Sequence, residues 1–480
     1  MSSFRCAVLA GISTLALPGV AFADPAMDVI HPFGPPTSKV SVYATGFGAG
    51  NTVDFFFDST DLCQAVSDNS SAFCEITVPT NAQPGPHRII GKSGALSAQQ
   101  SFLVRTDMPQ FHGLNALHQG INPFENTINT GNVGNLKVLW HQAIASGVLG
   151  GSPVVAYGHV YVASLDGKLY AFNATTGTPI AGFPAVAAGG HFSHSTPAVG
   201  NENVYIGSGN QNLYAFNAHT GATIPGFPKT LGSVITSSPT LALGNVYVGC
   251  LDGNLYAFNA ATGVAVSGFP VSIGNGVDYA APTVFNGNVY IISEQDKLYG
   301  FNARTGATLT GFPVATSQSN STMAEAFSKF YFGSFDNKLY SVTAASGAST
   351  SGFPFLTGGI VGGSPAVYSG SAIVGSADGK LYAVQLSNGA KKYAVTVEAG
   401  AGGRSSPMIA NGVTYFAETA KLYALSAANG SRLWSAAISN SDNNEYNSPV
   451  VANGIVYYAD DTGNLTAYSV NGVAPEERFR

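Results

Sequence analysis

Polar and aromatic residues recur at one position of a pattern that this chain repeats eight times. Each copy has a short polar step that ends in Pro (Met in one copy), and the residue three positions before that Pro varies. The eight variable residues are Gly150, His194, Thr236, Tyr279, Asn320, Gly362, Arg404 and Tyr446. Asp278 and Glu445 precede two of them and add carboxylates. If these side chains met at one concave place, they could hold a small polar or anionic ligand, with Arg404 as the forked donor to a carboxylate or phosphate.

The alternative interpretation is that these are ordinary loop residues, and the sequence leaves it open. His191 and His194 form an H-x-x-H pair, but a metal site needs a third clustered ligand, so none is predicted. His112, His118 and Glu125 are metal-ligand types whose spacing fits no compact metal motif.

Other chemistry-bearing patterns are missing or have a structural explanation. The sequence contains no G-x-S-x-G, no Walker-type loop and no H-E-x-x-H, so no catalytic residue is predicted. Asp166, Asp252 and Asp378 each precede or lie beside Gly in a turn pattern and are interpreted as hairpin residues.

A repeat of about 42 residues positions the variable residues. A recurring Leu marks it at Leu169, Leu213, Leu255, Leu298, Leu339, Leu381, Leu422 and Leu465. The copy over 152–184 predicts four strands, namely Pro153–Tyr157, Val160–Ser164, Lys168–Asn173 and Thr178–Phe183, with a hairpin turn at Asp166-Gly167. Four short strands per repeat at this period predict an all-β, eight-bladed β-propeller over 136–470.

The two ends of the repeat region complement each other. Leu136–Ile144 is a fourth strand without its first three, whereas the last copy, from Asn447 to Val470, lacks its fourth. We therefore expect the N-terminal strand to complete the last blade and close the ring. The residues before each Pro then lie at the mouth of the central channel, on the face that carries the variable blade-to-blade loops, which is the better candidate for function.

The first 135 residues differ in pattern from the repeat. Residues 1–23 combine Arg5, an apolar core and the A-x-A step Ala21–Ala23, which predicts a cleavable signal peptide. Residues 24–37 are rich in Pro and are predicted to be irregular, whereas short strands from Ser38 to Arg105 predict a small β-sandwich within 24–105. Residues 106–135 are predicted to be a connector draped over the propeller. Residues 471–480 are predicted to form a tail.

Pairing Val66 with Ser71 in a hairpin would place Cys63 opposite Cys74 and allow a disulfide in an exported protein.

Composition narrows the class of partner. The chain has 480 residues, 10% charged residues, 45% hydrophobic residues and a net charge of −6. Because no basic stripe is present, nucleic acid is not an expected partner. No apolar run outside the signal segment is long enough for a transmembrane span, and a monomer located in the periplasm or outside the cell is expected.

The unit VYVGCLDGNLYAFNAATG resembles the pyrroloquinoline-quinone-like (PQQ-like) β-propeller repeat, and the 24–105 region resembles immunoglobulin-like modules of exported bacterial proteins. One branch of the propeller family comprises dehydrogenases that hold the quinone and a calcium ion on the propeller axis. Another comprises non-enzymatic scaffolds, including the lipoprotein of the outer-membrane β-barrel assembly machine.

This chain departs from both branches. Dehydrogenase repeats end in a docking Trp, and here that place is taken by Phe183, Phe227, Phe269, Phe312 and Phe353, with Tyr393 in the sixth copy. No adjacent Cys-Cys pair exists, and Cys6 lies too early to be acylated at a cleavage site. The predicted function is therefore a non-enzymatic exported propeller without a cofactor that binds a protein, glycan or small polar ligand. The alternatives are a divergent oxidoreductase using PQQ and calcium, and a structural or adhesive cell-surface module.

Overall fold

The computed structural model describes residues 24–68, 71–148, 150–187, 189–192, 194–294, 296–398, 403–439 and 446–475. The predicted signal segment and Glu445 lie outside these ranges. The chain divides into two compact units. Unit 1 takes the chain up to Phe33, Thr37–Pro79 and His87–Phe102, and unit 2 takes Gly34–Pro36, Thr80–Pro86 and everything from Leu103 onward.

Two sheets make up the N-terminal part of the chain. The strands are β1 (Ala26–Val29), β2 (Phe33–Gly34), β3 (Lys39–Thr45), β4 (Thr52–Phe57), β5 (Thr60–Val66), β6 (Ser71–Thr77), β7 (Gly85–Ser93) and β8 (Leu96–Val104). One sheet has the order β1-β3-β6 and the other β2-β8-β7-β4-β5. Alternate residues of β3 and β4 are buried, as expected for sheets with one face in a core. The immunoglobulin-like assignment of this region stays a prediction.

Cys63 and Cys74 form the predicted disulfide, but the predicted geometry was wrong. The two strands do not form a hairpin, because β5 pairs with β4 through Val66 and Thr52, whereas β6 pairs with β3. The chain crosses from one sheet to the other after Ser67. The disulfide therefore links the two sheets of this region rather than two neighbouring strands of one sheet.

Unit 2 consists of short antiparallel sheets that follow one another along the chain. The connecting segment contains β9 (Ile121–Asn122), a 3-10 helix (Val133–Asn135) and β10 (Leu136–Ala143). Blade 1 consists of β11 (Val154–Ala156), β12 (His159–Ala163), β13 (Lys168–Asn173) and β14 (Ala185–Val186), and blade 2 consists of β15 (Ala198–Gly200), β16 (Asn203–Gly207), β17 (Asn212–Asn217) and β18 (Lys229–Thr230). Blade 3 consists of β19 (Thr240–Ala242), β20 (Asn245–Cys250), β21 (Asn254–Asn259) and β22 (Val271–Ser272), and blade 4 consists of β23 (Thr283–Phe285), β24 (Asn288–Ser293), β25 (Lys297–Asn302) and β26 (Val314–Ala315).

Blades 5 to 8 continue the same order. Blade 5 consists of β27 (Ala324–Ala326), β28 (Lys329–Gly333), β29 (Lys338–Thr343) and β30 (Phe355–Leu356), and blade 6 consists of β31 (Ala366–Tyr368), β32 (Ser371–Ser376), β33 (Lys380–Gln385) and β34 (Lys391–Thr396). Blade 7 consists of β35 (Met408–Ala410), β36 (Val413–Glu418), β37 (Lys421–Ser426) and β38 (Arg432–Ala437), and blade 8 contains β39 (Val450–Ala452), β40 (Ile455–Ala459) and β41 (Asn464–Val470). Within the described ranges these form eight sheets, and β10 is the fourth strand of the last one.

The sheets close into a ring. Each first strand contacts the first strand of the next blade, and the series returns from β39 to β11. β10 pairs antiparallel with β41 from Leu136↔Val470 to Ala143↔Asn464, as the complementary ends of the repeat predicted. The chain therefore folds as a β-propeller whose N-terminal strand completes its last blade, and closure leaves no free sheet edge between the first and last repeats.

The fourth strand of the early blades lies further along the chain than predicted. In blade 1 it is β14, after Pro184, while Thr178–Phe183 is a loop with a single bridge from Pro179 to Phe172. Gly182 takes a left-handed backbone (φ 87°), so the strand direction cannot continue through it. The following Phe183 packs edge-on against Tyr161, 6.0 Å between ring centroids, and this anchors the loop.

In five of the eight blades, a tyrosine hydroxyl ties the blade to the next one. The second-strand Tyr donates to a carbonyl in the next blade's third-to-fourth turn, in the pairs Tyr161–Ala218, Tyr205–Ala260, Tyr247–Ala303, Tyr290–Ala344 and Tyr457–Ala174, at 2.6 to 3.1 Å. The Tyr415 hydroxyl of blade 7 is buried with no partner among the described residues.

Replacing Tyr247 with Phe is expected to lower the free energy of unfolding by about 1–2 kcal/mol, because the Ala303 carbonyl loses a buried donor. Tyr415→Phe removes the same atom from an equivalent place and is expected to change it by less than about 0.5 kcal/mol. Urea unfolding of the two variants measures the difference, and equal losses would contradict a role for the inter-blade bond.

The connector from Thr106 to Asn122 contacts the first strand of every blade, which is the inner strand next to the channel. Its backbone pairs with the inner strand of blades 1, 2, 4, 5, 6 and 7 at Val155, Val199, Val284, Glu325, Val367 and Ile409. Side chains complete the circle, since Gln110 bonds to the Leu241 backbone of blade 3 and Asn122 donates to the Val451 carbonyl of blade 8. These contacts fall on the middle residue of each three-residue inner strand, C-terminal to the Pro step that precedes the strand, so the connector lies across the end of the channel opposite that step.

Candidate functional site

The opposite end of the channel is built on a circle of hydroxyl bonds. The backbone N–H before each Pro, or before Met323 in blade 5, donates to the Ser or Thr hydroxyl at the same position of the next blade, in the order Ser152, Thr196, Ser238, then Ala281, Thr322, Ser364, Ser406, Ser448 and back to Ser152. The distances are 2.8 to 3.2 Å, and the one gap follows Ser238, where Ala281 offers no hydroxyl. This circle explains why the Ser/Thr-Pro step repeats, and it holds the variable residues at one level around the axis.

Five of the predicted residues meet across that axis. The rings of His194 and Tyr279 are 4.2 Å apart, and the rings of Tyr279 and Tyr446 are 4.3 Å apart. The Tyr279 hydroxyl lies 3.2 Å from His194 Nε2. Asn320 Nδ2 donates to the Tyr446 hydroxyl at 3.3 Å. The Arg404 guanidinium lies 5.4 Å from the centre of the Tyr446 ring, and its Nη1 is 3.5 Å from that hydroxyl. We call these five residues the mouth cluster.

The backbone of the mouth cluster is strained. His194 and Tyr279 adopt left-handed conformations (φ 65° and 63°), which bulky side chains rarely take. Gly150, at the same position of blade 1, has φ 67°, and a Cβ there would overlap the imidazole of His194. Strain of this type, costing of order 1 kcal/mol or more per residue, is concentrated at functional sites in proteins.

The charges of the mouth are few. Burial lowers the pKa of His194 to about 4, so the ring is neutral at pH 7, and its buried Nδ1 has no partner among the described residues. Asp278 is half-buried beside Tyr279, and burial raises its pKa to about 6 against the opposing hydrogen bond from Thr236. Arg404 carries the positive charge of the cluster.

The remaining candidates do not form a metal site. His112 and His118 lie in the connector with their ring nitrogens against backbone carbonyls, and Glu125 accepts backbone N–H bonds from Thr127, Ile128 and Gly454. His191 is exposed. In the part of the chain that the structure describes, no three His, Cys, Asp or Glu side chains are grouped as a metal would need.

The connector's closure of the other channel end was not predicted. Its sequence has no periodicity, because it gives each blade only one or two hydrogen bonds. One glycine of the connector does indicate close packing: Gly120 has φ 64° and lies so close to His112 and Ala366 that a Cβ would overlap both.

No helix in the described ranges is long and apolar enough to cross a membrane.

The chain belongs to the family described as outer membrane protein assembly factor BamB, whose pattern matches residues 132–351 and 280–472. No curated protein matches significantly. The fold is similar to that of BamB from Moraxella catarrhalis (15% identity, 70% of this chain and 97% of that chain, TM-score 0.57).

Two further solved structures share the fold. Quinohemoprotein alcohol dehydrogenase from Comamonas testosteroni is 14% identical over 77% of this chain and 81% of its own, with a TM-score of 0.60. The computationally designed Ika8 protein is 12% identical over 68% of this chain and 98% of its own, with a TM-score of 0.56. An assembly factor, an enzyme and a designed protein all have this architecture, so the function must be argued from the site.

Proposed function

We propose that this protein is an exported, non-enzymatic binding protein that holds an anionic group of its partner at the mouth cluster. The observation that carries the proposal is the convergence of side chains from five blades on one place, with Arg404 and Asn320 as donors and with left-handed backbones at His194 and Tyr279. A carboxylate or phosphate on a protein, glycan or small molecule has the chemistry that a guanidinium recognises. The family's assembly-factor description supports a role in protein interaction.

The residues at the mouth do not fit a quinone with calcium. A planar cofactor needs a slot between two faces, but here Tyr279 lies between His194 and Tyr446 with ring separations of 4.2 and 4.3 Å. Among the predicted mouth residues that the structure describes, Asp278 is the one carboxylate. Calcium prefers several ionised oxygen ligands. The mouth is therefore suited to a partner that contacts it from outside.

Export is supported by two features. The first 23 residues have the composition of a signal peptide. The Cys63–Cys74 disulfide belongs to the chemistry of oxidising compartments, which include the periplasm and the cell exterior.

Arg404→Ala combined with Tyr279→Ala is expected to abolish partner capture, because it removes the cation and the central ring of the cluster. The measurement is quantitative pull-down from the exported fraction, comparing wild type, the double variant and a control in which the exposed Arg304 is changed to Gln. Proteins or glycans retained by wild type and control but lost by the double variant support the proposal. Identical capture by all three forms would contradict it.

The oxidoreductase alternative has its own test. The wild-type protein is mixed with pyrroloquinoline quinone and calcium, and its melting temperature and dye-coupled alcohol oxidation are measured. We expect no thermal shift and no turnover. A shift of several degrees accompanied by turnover would replace the binding proposal with the enzymatic one.

A further inference from the structure

The hydroxyl of Tyr446 is a hydrogen-bond donor that the mouth cluster itself does not use. Both hydrogen-bond contacts of this hydroxyl are with donors, namely Asn320 Nδ2 at 3.3 Å and Arg404 Nη1 at 3.5 Å. The oxygen therefore accepts, and its own hydrogen has no acceptor among the described residues. Tyr446 is 7% exposed, and a buried hydroxyl hydrogen without an acceptor costs free energy. A ligand oxygen at this place would remove that cost.

Arg404 is held at both ends of its side chain. Its guanidinium lies 5.4 Å from the centre of the Tyr446 ring. A Cβ placed on Gly362 would be 3.1 Å from Arg404 Cγ, so the stem of the side chain packs directly on that glycine. Within the described ranges, no carboxylate forms a salt bridge with Arg404. The guanidinium is therefore already positioned, and its charge is left for a ligand.

The same arrangement occurs at His194. The imidazole of His194 in blade 2 lies against Gly150 of blade 1, as the stem of Arg404 in blade 7 lies against Gly362 of blade 6. Gly150 and Gly362 are the two glycines among the eight variable residues of the repeat. Each stands one blade before a large side chain of the cluster, which indicates that the glycines make room for those side chains.

The charge balance of the mouth favours a ligand with one negative charge. Arg404 is the one cation among the described mouth residues, since burial lowers the pKa of His194 to about 4 and its ring is neutral at pH 7. Burial raises the pKa of Asp278 to about 6, so this carboxyl is largely ionised at pH 7. A phosphate monoester carries about two negative charges at that pH, and one of them would stay unpaired in the mouth. A carboxylate carries one, and its two oxygens match the guanidinium fork.

The rest of the cluster is aromatic and favours an apolar group next to that carboxylate. The rings of His194, Tyr279 and Tyr446 follow one another with centroid separations of 4.2 and 4.3 Å. Ring faces and edges of this kind pack well against apolar side chains. An acidic sugar would bring several hydroxyl hydrogens that each need an acceptor, whereas the cluster offers the donors of Arg404 and Tyr446. A polypeptide carboxylate flanked by apolar side chains suits this surface better.

We propose that the mouth cluster binds a single carboxylate of a polypeptide, from its chain end or from an acidic side chain, in preference to a phosphate. One carboxylate oxygen accepts from the Arg404 guanidinium and the other from the Tyr446 hydroxyl. This inference rests on the partner binding proposed above for the same site, and it narrows the chemistry of the partner.

The test is calorimetric titration of the full-length protein with acetylated tripeptides that end in phenylalanine. The set contains the peptide with a free chain-terminal carboxylate, its carboxamide, and the carboxamide with either glutamate or phosphoserine in the middle position. We expect the chain-terminal carboxylate or the glutamate peptide to bind at least about tenfold more tightly than both the plain carboxamide and the phosphoserine peptide. The tighter of the two carboxylate peptides identifies the source as a chain end or a side chain.

Variants of the cluster test the assigned contacts. Arg404→Gln is expected to abolish saturable binding, and Tyr446→Phe, which keeps the ring beside the guanidinium, to weaken it about tenfold. Gly362→Ala keeps both ligand donors but crowds the stem of Arg404, and it is expected to weaken binding as well. The control Arg304→Gln, an exposed charge change in blade 4, is expected to leave binding unchanged. The melting temperature of each variant separates a loss of binding from a loss of fold.

The proposal is wrong if no peptide binds saturably to the wild-type protein, or if the phosphoserine peptide or the plain carboxamide binds as tightly as the better carboxylate peptide. It is also wrong if D-glucuronate binds more tightly than both carboxylate peptides, since that would assign the site to an acidic glycan. After any of these results, partner capture that still depends on Arg404 and Tyr279 in the pull-down would leave the proposed function standing. Capture that does not depend on them would contradict both.

Discussion

Trp140→Ala is expected to lower the free energy of unfolding by about 3–5 kcal/mol, the largest effect of any substitution considered for this protein. Trp140 lies on β10, the strand that completes blade 8, and only 8% of its surface is exposed. Its indole N–H donates to the Ala174 carbonyl of blade 1 at 3.0 Å, and its ring lies 5.9 Å from that of Tyr457. One side chain therefore fastens the first blade to the last.

The size of the effect follows from what the substitution removes. The Ala174 carbonyl also accepts the Tyr457 hydroxyl at 2.9 Å, so both bonds across the seam end on one atom. Gly177 lies so close to the indole that a Cβ there would overlap it, which shows how tightly the turn of blade 1 packs on this ring. Alanine would leave a cavity where the last blade packs against the first.

The measurement is guanidinium unfolding followed by tryptophan-independent circular dichroism. His141→Ala is the matched control, since His141 is the next residue of the same strand, is exposed, and contacts Thr466 at 3.2 Å from the solvent side. We expect the control to stay within about 0.5 kcal/mol of wild type. If Trp140→Ala were as stable as the control, the strand would close the ring through its backbone bonds alone.

The ring could be predicted from sequence because repetition makes equivalent residues equivalent in space. A constant interval of about 42 residues places His194, Tyr279, Asn320, Arg404 and Tyr446 at one level of the channel. The order of contacts within the mouth cluster could not be predicted. It depends on the left-handed backbones of His194 and Tyr279. A glycine such as Gly150 indicates that conformation in the sequence, whereas His and Tyr do not.

The errors in the prediction have a common cause. Each concerns a segment whose strand partner cannot be predicted from the composition of the segment itself. The composition of Thr178–Phe183 predicts a strand, yet Gly182 turns the chain and the pairing residues come after Pro184. The cysteines were paired correctly because they are close in sequence, but the strand partners of β5 and β6 depend on which sheet each joins. The connector makes only one or two hydrogen bonds to each blade, so its sequence has no periodicity from which they could be predicted.

Acid is expected to destabilise the propeller through the buried histidine His112, by about 3 kcal/mol between pH 6.5 and pH 4. His112 belongs to the connector and is 4% exposed. Burial lowers its pKa to about 4 from an ordinary value of 6.5, while its contacts with the Pro407 and His118 carbonyls act in the opposite direction. The folded protein thus holds the neutral ring, whereas the unfolded chain takes up a proton below pH 6.5. The stability that depends on the neutral ring is complete above pH 6.5 and is lost as the pH falls towards 4.

Other groups titrate in the same range and must be separated from His112. Burial also lowers the pKa of His118 and that of His194, which adds to the loss in acid. The raised pKa of Asp278 acts in the opposite sense, since the fold favours its protonated form. The informative quantity is therefore the difference in unfolding free energy between wild type and His112→Gln, measured by urea unfolding at several pH values from 4 to 7.

The direction in which that difference changes with pH distinguishes two explanations of how His112 is held at the closed end of the channel. His112 Nε2 lies 2.7 Å from the Pro407 carbonyl and Nδ1 lies 3.2 Å from the His118 carbonyl, so each nitrogen faces an acceptor. A neutral ring can satisfy only one of the two carbonyls, whereas a protonated ring can donate to both. If burial dominates, wild type loses its advantage over His112→Gln as the pH falls. If the two carbonyls dominate, wild type gains on the variant in acid, and the connector is held by a buried cation at the centre of the ring.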